Sequence, residues 1–188
     1  MKNKGNAKSD YSKNQILISL IDRMSAKEFE KISIKEIVDR AEVSRKTFYR
    51  NFDSKVEVLL LEIETIVNSY ISMLNKAHDL RFENIALLVF STAEEHAQFI
   101  ELLVRNNLLY LLTDRLYEEL NSIYKSKKIE IFHQFGEAAI ANTLLFSFGG
   151  FENYIKQWIT ETPRKTPLQV QHDFKEIIRI FRKSTDDK

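Results

Sequence analysis

The chain has 188 residues, 44% hydrophobic and 29% charged, a composition that suits a folded protein with a sizeable core in one domain or two small ones. It has no cysteine, which excludes disulfides and thiolate chemistry, and no apolar run of membrane-span length or signal-peptide core, so a soluble cytoplasmic protein is expected. Its net charge of +1 conceals a division: residues 1–60 hold 13 Lys and Arg against 9 Asp and Glu (+4), and the rest hold 15 against 18 (−3), which fits one nucleic-acid face on a body that does not touch DNA.

No Gly or Pro occurs between Gly5 and Gly136, and Asn-Gly or Asp-Gly hairpin signals are missing, so the expected fold class is all-α. Residues 1–9 are polar and basic and are expected to be disordered. A first helix is expected from about Lys8 to Lys27, its apolar stripe made by Leu17, Leu20, Ile21 and Met24. Ser33 and Glu36 then form a capping box ahead of a short helix with Ile34, Ile37, Val38 and Ala41 on one side. Ala41-Glu42-Val43 reads as a turn, and Ser44 as the N-cap of the next helix. That helix keeps Val43, Thr47 and Phe48 for packing and leaves Arg45, Lys46, Tyr49 and Arg50 outward. Phe52 closes the unit, and Asp53-Ser54 caps a long helix that starts at Lys55 and runs to about Ala77. Two readings fit this pattern: an ordinary helical hairpin with a solvated basic face, or a helix-turn-helix whose second helix enters the DNA major groove.

The residues from Ile34 to Lys55, Ile-Lys-Glu-Ile-Val-Asp-Arg-Ala-Glu-Val-Ser-Arg-Lys-Thr-Phe-Tyr-Arg-Asn-Phe-Asp-Ser-Lys, resemble the DNA-binding domain of the TetR (tetracycline repressor) family of bacterial transcription regulators. The resemblance covers roughly residues 10 to 60. It departs from the pattern at Glu42, where the family often has Gly; a positive φ there would strain Glu by about a kcal/mol. It implies a three-helix helix-turn-helix domain over residues 10–55, joined by the long helix to a helical effector-binding and dimerisation domain over 56–183, with a flexible end at 184–188. It also implies a homodimeric regulator, a repressor in the commonest case, on a near-palindromic double-stranded operator, one recognition helix per subunit in successive major grooves roughly 34 Å apart. The matching positions assign Arg45 and Lys46 to base edges, Thr47 and Tyr49 to phosphates, and Arg50 to either. Lys55 is assigned to a phosphate, and Ser33 and Ser44 to backbone contacts beside their capping.

Further helices are expected over 82–96, 98–105, 107–128, 132–160 and 167–182, broken most clearly at Pro163–Pro167. The apolar run through Leu102, Leu103, Val104 and Leu108–Leu112 suggests the centre of a bundle. Gly149 and Gly150 stand inside a helical pattern, where each costs roughly 1 kcal/mol relative to Ala. They mark either a kink opening a ligand cavity or a flat patch for a partner helix. The Phe-Gly-Gly-Phe-Glu-Asn-Tyr-Ile-Lys-Gln-Trp-Ile run ending at Ile159 resembles one Gram-positive branch of the same family. The family resemblance implies dimerisation through residues 132–160 and 167–182, with Phe174, Ile177, Ile178 and Phe181 on the apolar stripe.

Catalytic groups at usable spacing are missing. The histidines His78, His96, His133 and His172 are dispersed, no metal-ligand spacing occurs, and neither a phosphate loop nor a Gly-x-Ser-x-Gly is present. No enzyme activity, metal or cofactor is expected. Candidate linings for an apolar or aromatic small-molecule effector are His96, Phe99, Tyr110, Tyr117, Phe146, Tyr154 and Trp158, each of which also reads as an ordinary core aromatic. A protein partner would bias the same helices as well as a small molecule.

Overall fold

The computed structural model describes residues 4–127 and 134–186, with side chains described for 9–120 and 134–183. Among them the order is α1 (Lys4–Ala26), a 3-10 turn (Phe29–Lys31), α2 (Ile34–Arg40), α3 (Arg45–Asn51), α4 (Lys55–Lys76), α5 (Phe82–Glu95), α6 (Ala97–Arg105), α7 (Leu109–Lys127), α8 (Glu137–Trp158) and α9 (Pro167–Asp186). The described residues contain no strand, so the fold is all-α, and none of their helices is long and apolar enough to cross a membrane. α1 starts at Lys4 instead of about Lys8, so the disorder expected over 1–9 does not extend through its first turns; Met1–Asn3 lie outside the described residues. One anchor there is the Ser9 hydroxyl, which donates to Asn51 Oδ1 at the end of α3 (2.8 Å). Likewise α9 continues to Asp186, into the expected flexible end, and residues 132–133 of the expected 132–160 helix fall outside the described set.

The chain divides into two compact units. The first comprises residues up to Thr65 together with 102–108; the second comprises 66–101 and 109 onward. The division falls inside α4, past the expected 55/56, because Val58, Leu59 and Ile63 from that helix are buried in the first unit.

In the first unit α1 packs on α2 and α3, and its buried side is Ile16, Leu17, Leu20 and Met24. Ile37, Val38, Phe48 and Phe52 answer from α2, α3 and the α3 C-cap. Burying such side chains is what holds two seven-residue helices that would be marginal alone. Each has a serine cap: Ser33 Oγ accepts from Glu36 N–H (3.3 Å) while Glu36 accepts from Ser33 N–H (2.9 Å), and Ser44 Oγ accepts from Thr47 N–H (3.0 Å). α4 is capped alike, by Ser54 on Glu57 N–H and Glu57 on Asp53 N–H. Between α2 and α3, Glu42 has φ +53°, the left-handed conformation its place in the turn demands. Glu42→Gly is therefore expected to raise stability by about 1 kcal/mol, seen as a higher urea midpoint; a lower one would mean the side chain is held there by something worth more than the strain.

The apolar run at 102–112 does not form one bundle centre. Leu102, Leu103 and Leu108 are buried with the first unit, whereas Leu109 and Leu112 are buried in the second. Tyr110 between them is 49% exposed.

In the second unit α9 packs on α5, and α7 and α5 pack on α8. One core joins Tyr70, Leu74, Ile85, Leu120 and Leu144. Another is aromatic: Phe90, Tyr154, Trp158 and Phe174 meet at ring-centroid distances of 5.1–6.1 Å. α8 runs unbroken through Gly149 and Gly150, and a Cβ on either would meet nothing within 4 Å. The glycines therefore neither interrupt the helix nor admit a close neighbour from the same chain. They share the outward face with Leu145 and Phe146, which are 63% and 74% exposed.

Candidate nucleic-acid interface and internal cavity

The outer face of α3 is built by its phase. With Phe48 fully buried, Lys46 and Arg50 fall on the opposite side and Arg45 and Tyr49 flank it, and all four are exposed. Arg45, Lys46 and Arg50 make no hydrogen bond or ion pair to any described residue. Tyr49 is 56% exposed, its ring edge-on to Phe48 at 5.5 Å, so the hydroxyl end is carried outward on a fixed base. Thr47 is half-buried, with its hydroxyl 3.0 Å from Ser44 Oγ. Ser33 is exposed and its oxygen already serves Glu36. These groups form a compact cationic and hydrogen-bonding surface around the N-terminus of a short helix, the shape and charge that a major groove accepts.

Supporting ion pairs lie behind this face. Arg40 Nε meets Asp22 Oδ2 at 2.6 Å and Lys27 Nζ meets Glu36 Oε1 at 2.5 Å, tying α2 to α1 and its C-terminal end. The Lys27 ammonium, with the Ser33 amide and hydroxyl, lowers the Glu36 pKa to about 2. A depressed carboxylate contributes its stabilisation above its ordinary pKa of 4.5 and loses it as pH falls toward 2. Glu36→Gln is expected to flatten the acid limb of the stability curve across that window, by thermal melts at a series of pH values; an unchanged limb would remove Glu36 as its source.

Lys55 departs from its expected place. Its ammonium donates to Phe29 O and Ile32 O, each at 2.8 Å, reaches Glu30 O at 3.5 Å, and sits 4.5 Å from the centroid of the Phe29 ring. Burial lowers its pKa, against the opposing pull of Glu30. Three carbonyls at the end of the 3-10 turn thus occupy the charge expected to meet a phosphate, so the side chain is a clamp on the segment joining α1 to α2. On the same turn, the Phe29 N–H donates to Asn106 Oδ1 (2.7 Å), and Asn106 Nδ2 donates in turn to Leu102 O (2.8 Å). Asn106 was invisible to sequence reasoning; the only nearby signal is Asn107, which takes φ +57° to end α6.

The second unit contains a partly open cavity of about 490 Å³. Its wall comes from one inner stripe of α8 (Leu144, Phe148, Phe151, Ile155), from α7 (Leu112, Thr113, Leu116, Leu120), and from Ile85, Val89 and Ile100. None of the seven side chains expected to line a pocket borders it. Trp158 is fully buried, its indole N–H bonded to Lys165 O (2.7 Å) and its face under Arg164 (4.9 Å). Tyr154 bonds Asp173 (2.7 Å), and burial pushes its phenol pKa up. Phe99 is buried core, and Tyr110 and Phe146 are exposed. His96 serves as the α5 C-cap. Tyr117 comes nearest, edge-on at 5.4 Å to Phe148, which does line the cavity. Among the described residues no group of three or more acidic or His side chains is placed to hold a metal.

Residues 23–61 match the family model described as bacterial regulatory proteins, tetR family. The matched segment spans α2 and α3 with their flanks, the part of the chain that carries the exposed cationic face. No curated protein matches the chain.

Proposed function

We propose that this protein is a transcriptional repressor that binds a near-palindromic operator as a homodimer in the cytoplasm and releases it when a small molecule fills the cavity of the second unit. The observation that carries the reading is the α3 face: Arg45, Lys46 and Arg50, exposed and unengaged by described residues, on a helix held rigid by Phe48 and the Ser44 cap. Arg45 and Lys46 read bases, Thr47 and Tyr49 touch phosphate, Arg50 serves either role, and Ser33 and Ser44 add contacts at the helix ends. One seven-residue helix spans only a half-site, so a second copy is needed. The outward face of α8 (Leu145, Phe146, Gly149, Gly150), with Ile180 and Phe181 of α9 at 66% and 60% exposure, supports residues 132–160 and 167–182 as the surface that pairs the copies. Removal of the effector from bulk water by an apolar cavity supports the ligand half of the reading. α6 and α7 carry cavity-wall residues Ile100 and Leu112 on either side of residues 102–108, which belong to the first unit, so the chain runs directly from the cavity wall into that unit.

Titration of the intergenic DNA beside the gene, with random DNA as competitor, tests the reading. Arg45→Ala is expected to cost about 1–3 kcal/mol on the specific site and little on random DNA. Equal losses on both would demote Arg45 to a phosphate contact, and no specific complex at all would end the proposal.

A further inference from the structure

The polar groups of the cavity wall are few and biased. Its one described charged side chain is Glu152; no Lys, Arg or His is among the described lining residues. Three wall hydroxyls bond back to their own helices: Thr92 to Leu88 O (3.0 Å), Thr143 to Ala139 O (2.8 Å) and Ser147 to Thr143 O (2.7 Å). Thr113 Oγ1 lies 3.2 Å from Tyr110 O and 3.4 Å from Glu152 Oε2. Lys156 pairs from outside the wall with the other oxygen, Glu152 Oε1 (2.6 Å), which among the described residues leaves Oε2 with that long Thr113 contact. A hydroxyl whose proton is spent still has lone pairs, so apart from the Tyr70 phenol the polar wall accepts hydrogen bonds and hardly donates them.

Resting on the effector-cavity reading above, we propose that the cavity takes an apolar molecule with a cationic, hydrogen-bond-donating head, such as a protonated aliphatic amine, seated with the head on Glu152 Oε2 and Thr113 Oγ1 and the tail among Leu116, Phe148, Phe151 and Ile155. An anionic amphiphile of equal length is disfavoured. Its head would lose water without gaining a cation, and would meet the Glu152 carboxylate.

The test uses the full-length protein, calorimetric titration at neutral pH, and three probes of one chain length kept below their aggregation limits: decylamine, 1-decanol and decanoate. Wild type is expected to bind decylamine at least about tenfold more tightly than decanoate, with decanol between, as befits one charge-assisted contact partly offset by desolvation. Glu152→Gln is expected to bring decylamine to the level of decanol, and Ile140→Trp, which fills the cavity, to abolish binding of both. Decanoate binding as tight as decylamine, or an amine preference that survives Glu152→Gln, would overturn the ligand class while leaving the cavity reading intact. Probe binding undiminished in Ile140→Trp, or no probe binding at all, would instead overturn the cavity reading itself and the class with it.

Discussion

Lys55→Met is expected to lower stability by about 2–4 kcal/mol, since hydrogen bonds to a charged group are each worth roughly 1.5–3 kcal/mol and some of the freed carbonyls can rehydrate. The loss belongs to the first unit, where the ammonium joins Phe29 O and Ile32 O. Methionine keeps an unbranched apolar stem, so the measurement isolates the ammonium, its contact with the Phe29 ring included. DNA titrations at several salt concentrations complete the test. With the clamp reading, the slope of log K against log salt is unchanged while the folded fraction falls. A slope shallower by about one unit, with stability intact, would return Lys55 to the phosphate backbone.

The second large effect lies in the other unit. Trp158→Ala is expected to cost about 3–5 kcal/mol, the range for removing a buried aromatic and leaving a cavity. Three separate losses combine: contact with Phe90 (5.2 Å between centroids), the hydrogen bond to Lys165 O, and the stacking of Arg164. The last two fasten the segment between α8 and α9, so the substitution should also loosen α9, detectable as faster amide exchange over Pro167–Phe174. Trp158→Phe, which restores most of the apolar volume, should recover more than half of the stability. If alanine cost less than about 1 kcal/mol, Trp158 would not be a core residue and its assignment to an effector site would reopen.

Local signals made the first unit readable. Capping serines, a single large apolar residue, Phe48, within α3 and a turn needing positive φ are all short-range features, and Glu42 takes the strained conformation that its position implies. Lys55 escaped because its partners are backbone carbonyls 23 to 26 residues away, which leave no mark on a sequence pattern. The cavity escaped for a different reason. Aromatic character alone points to other residues, whereas the wall is decided by helical phase: Leu144, Phe148, Phe151 and Ile155 recur at three and four residues along one side of α8. Phe146 lies off that stripe and faces outward, Tyr154 turns toward Phe90 and Phe174, and Trp158, which continues the stripe, packs on Phe90 past the end of the wall. Phase becomes readable only once one knows which side of a helix its neighbours occupy.

The inclusion of residues 102–108 in the first unit has a consequence for how the protein is made. Leu102, Leu103 and Leu108 are buried, and Asn106 accepts the Phe29 amide proton, yet these residues are synthesised well after Thr65. At roughly 5–20 residues per second, the ribosome leaves the helix-turn-helix without this corner for on the order of seconds. During that interval the sites later covered by Leu102, Leu103 and Leu108 are uncovered, and the nascent chain is a target for chaperones. The first unit is therefore complete only after Leu108 has left the ribosome, and a fragment ending near Thr65 would carry every residue proposed to face DNA without this corner.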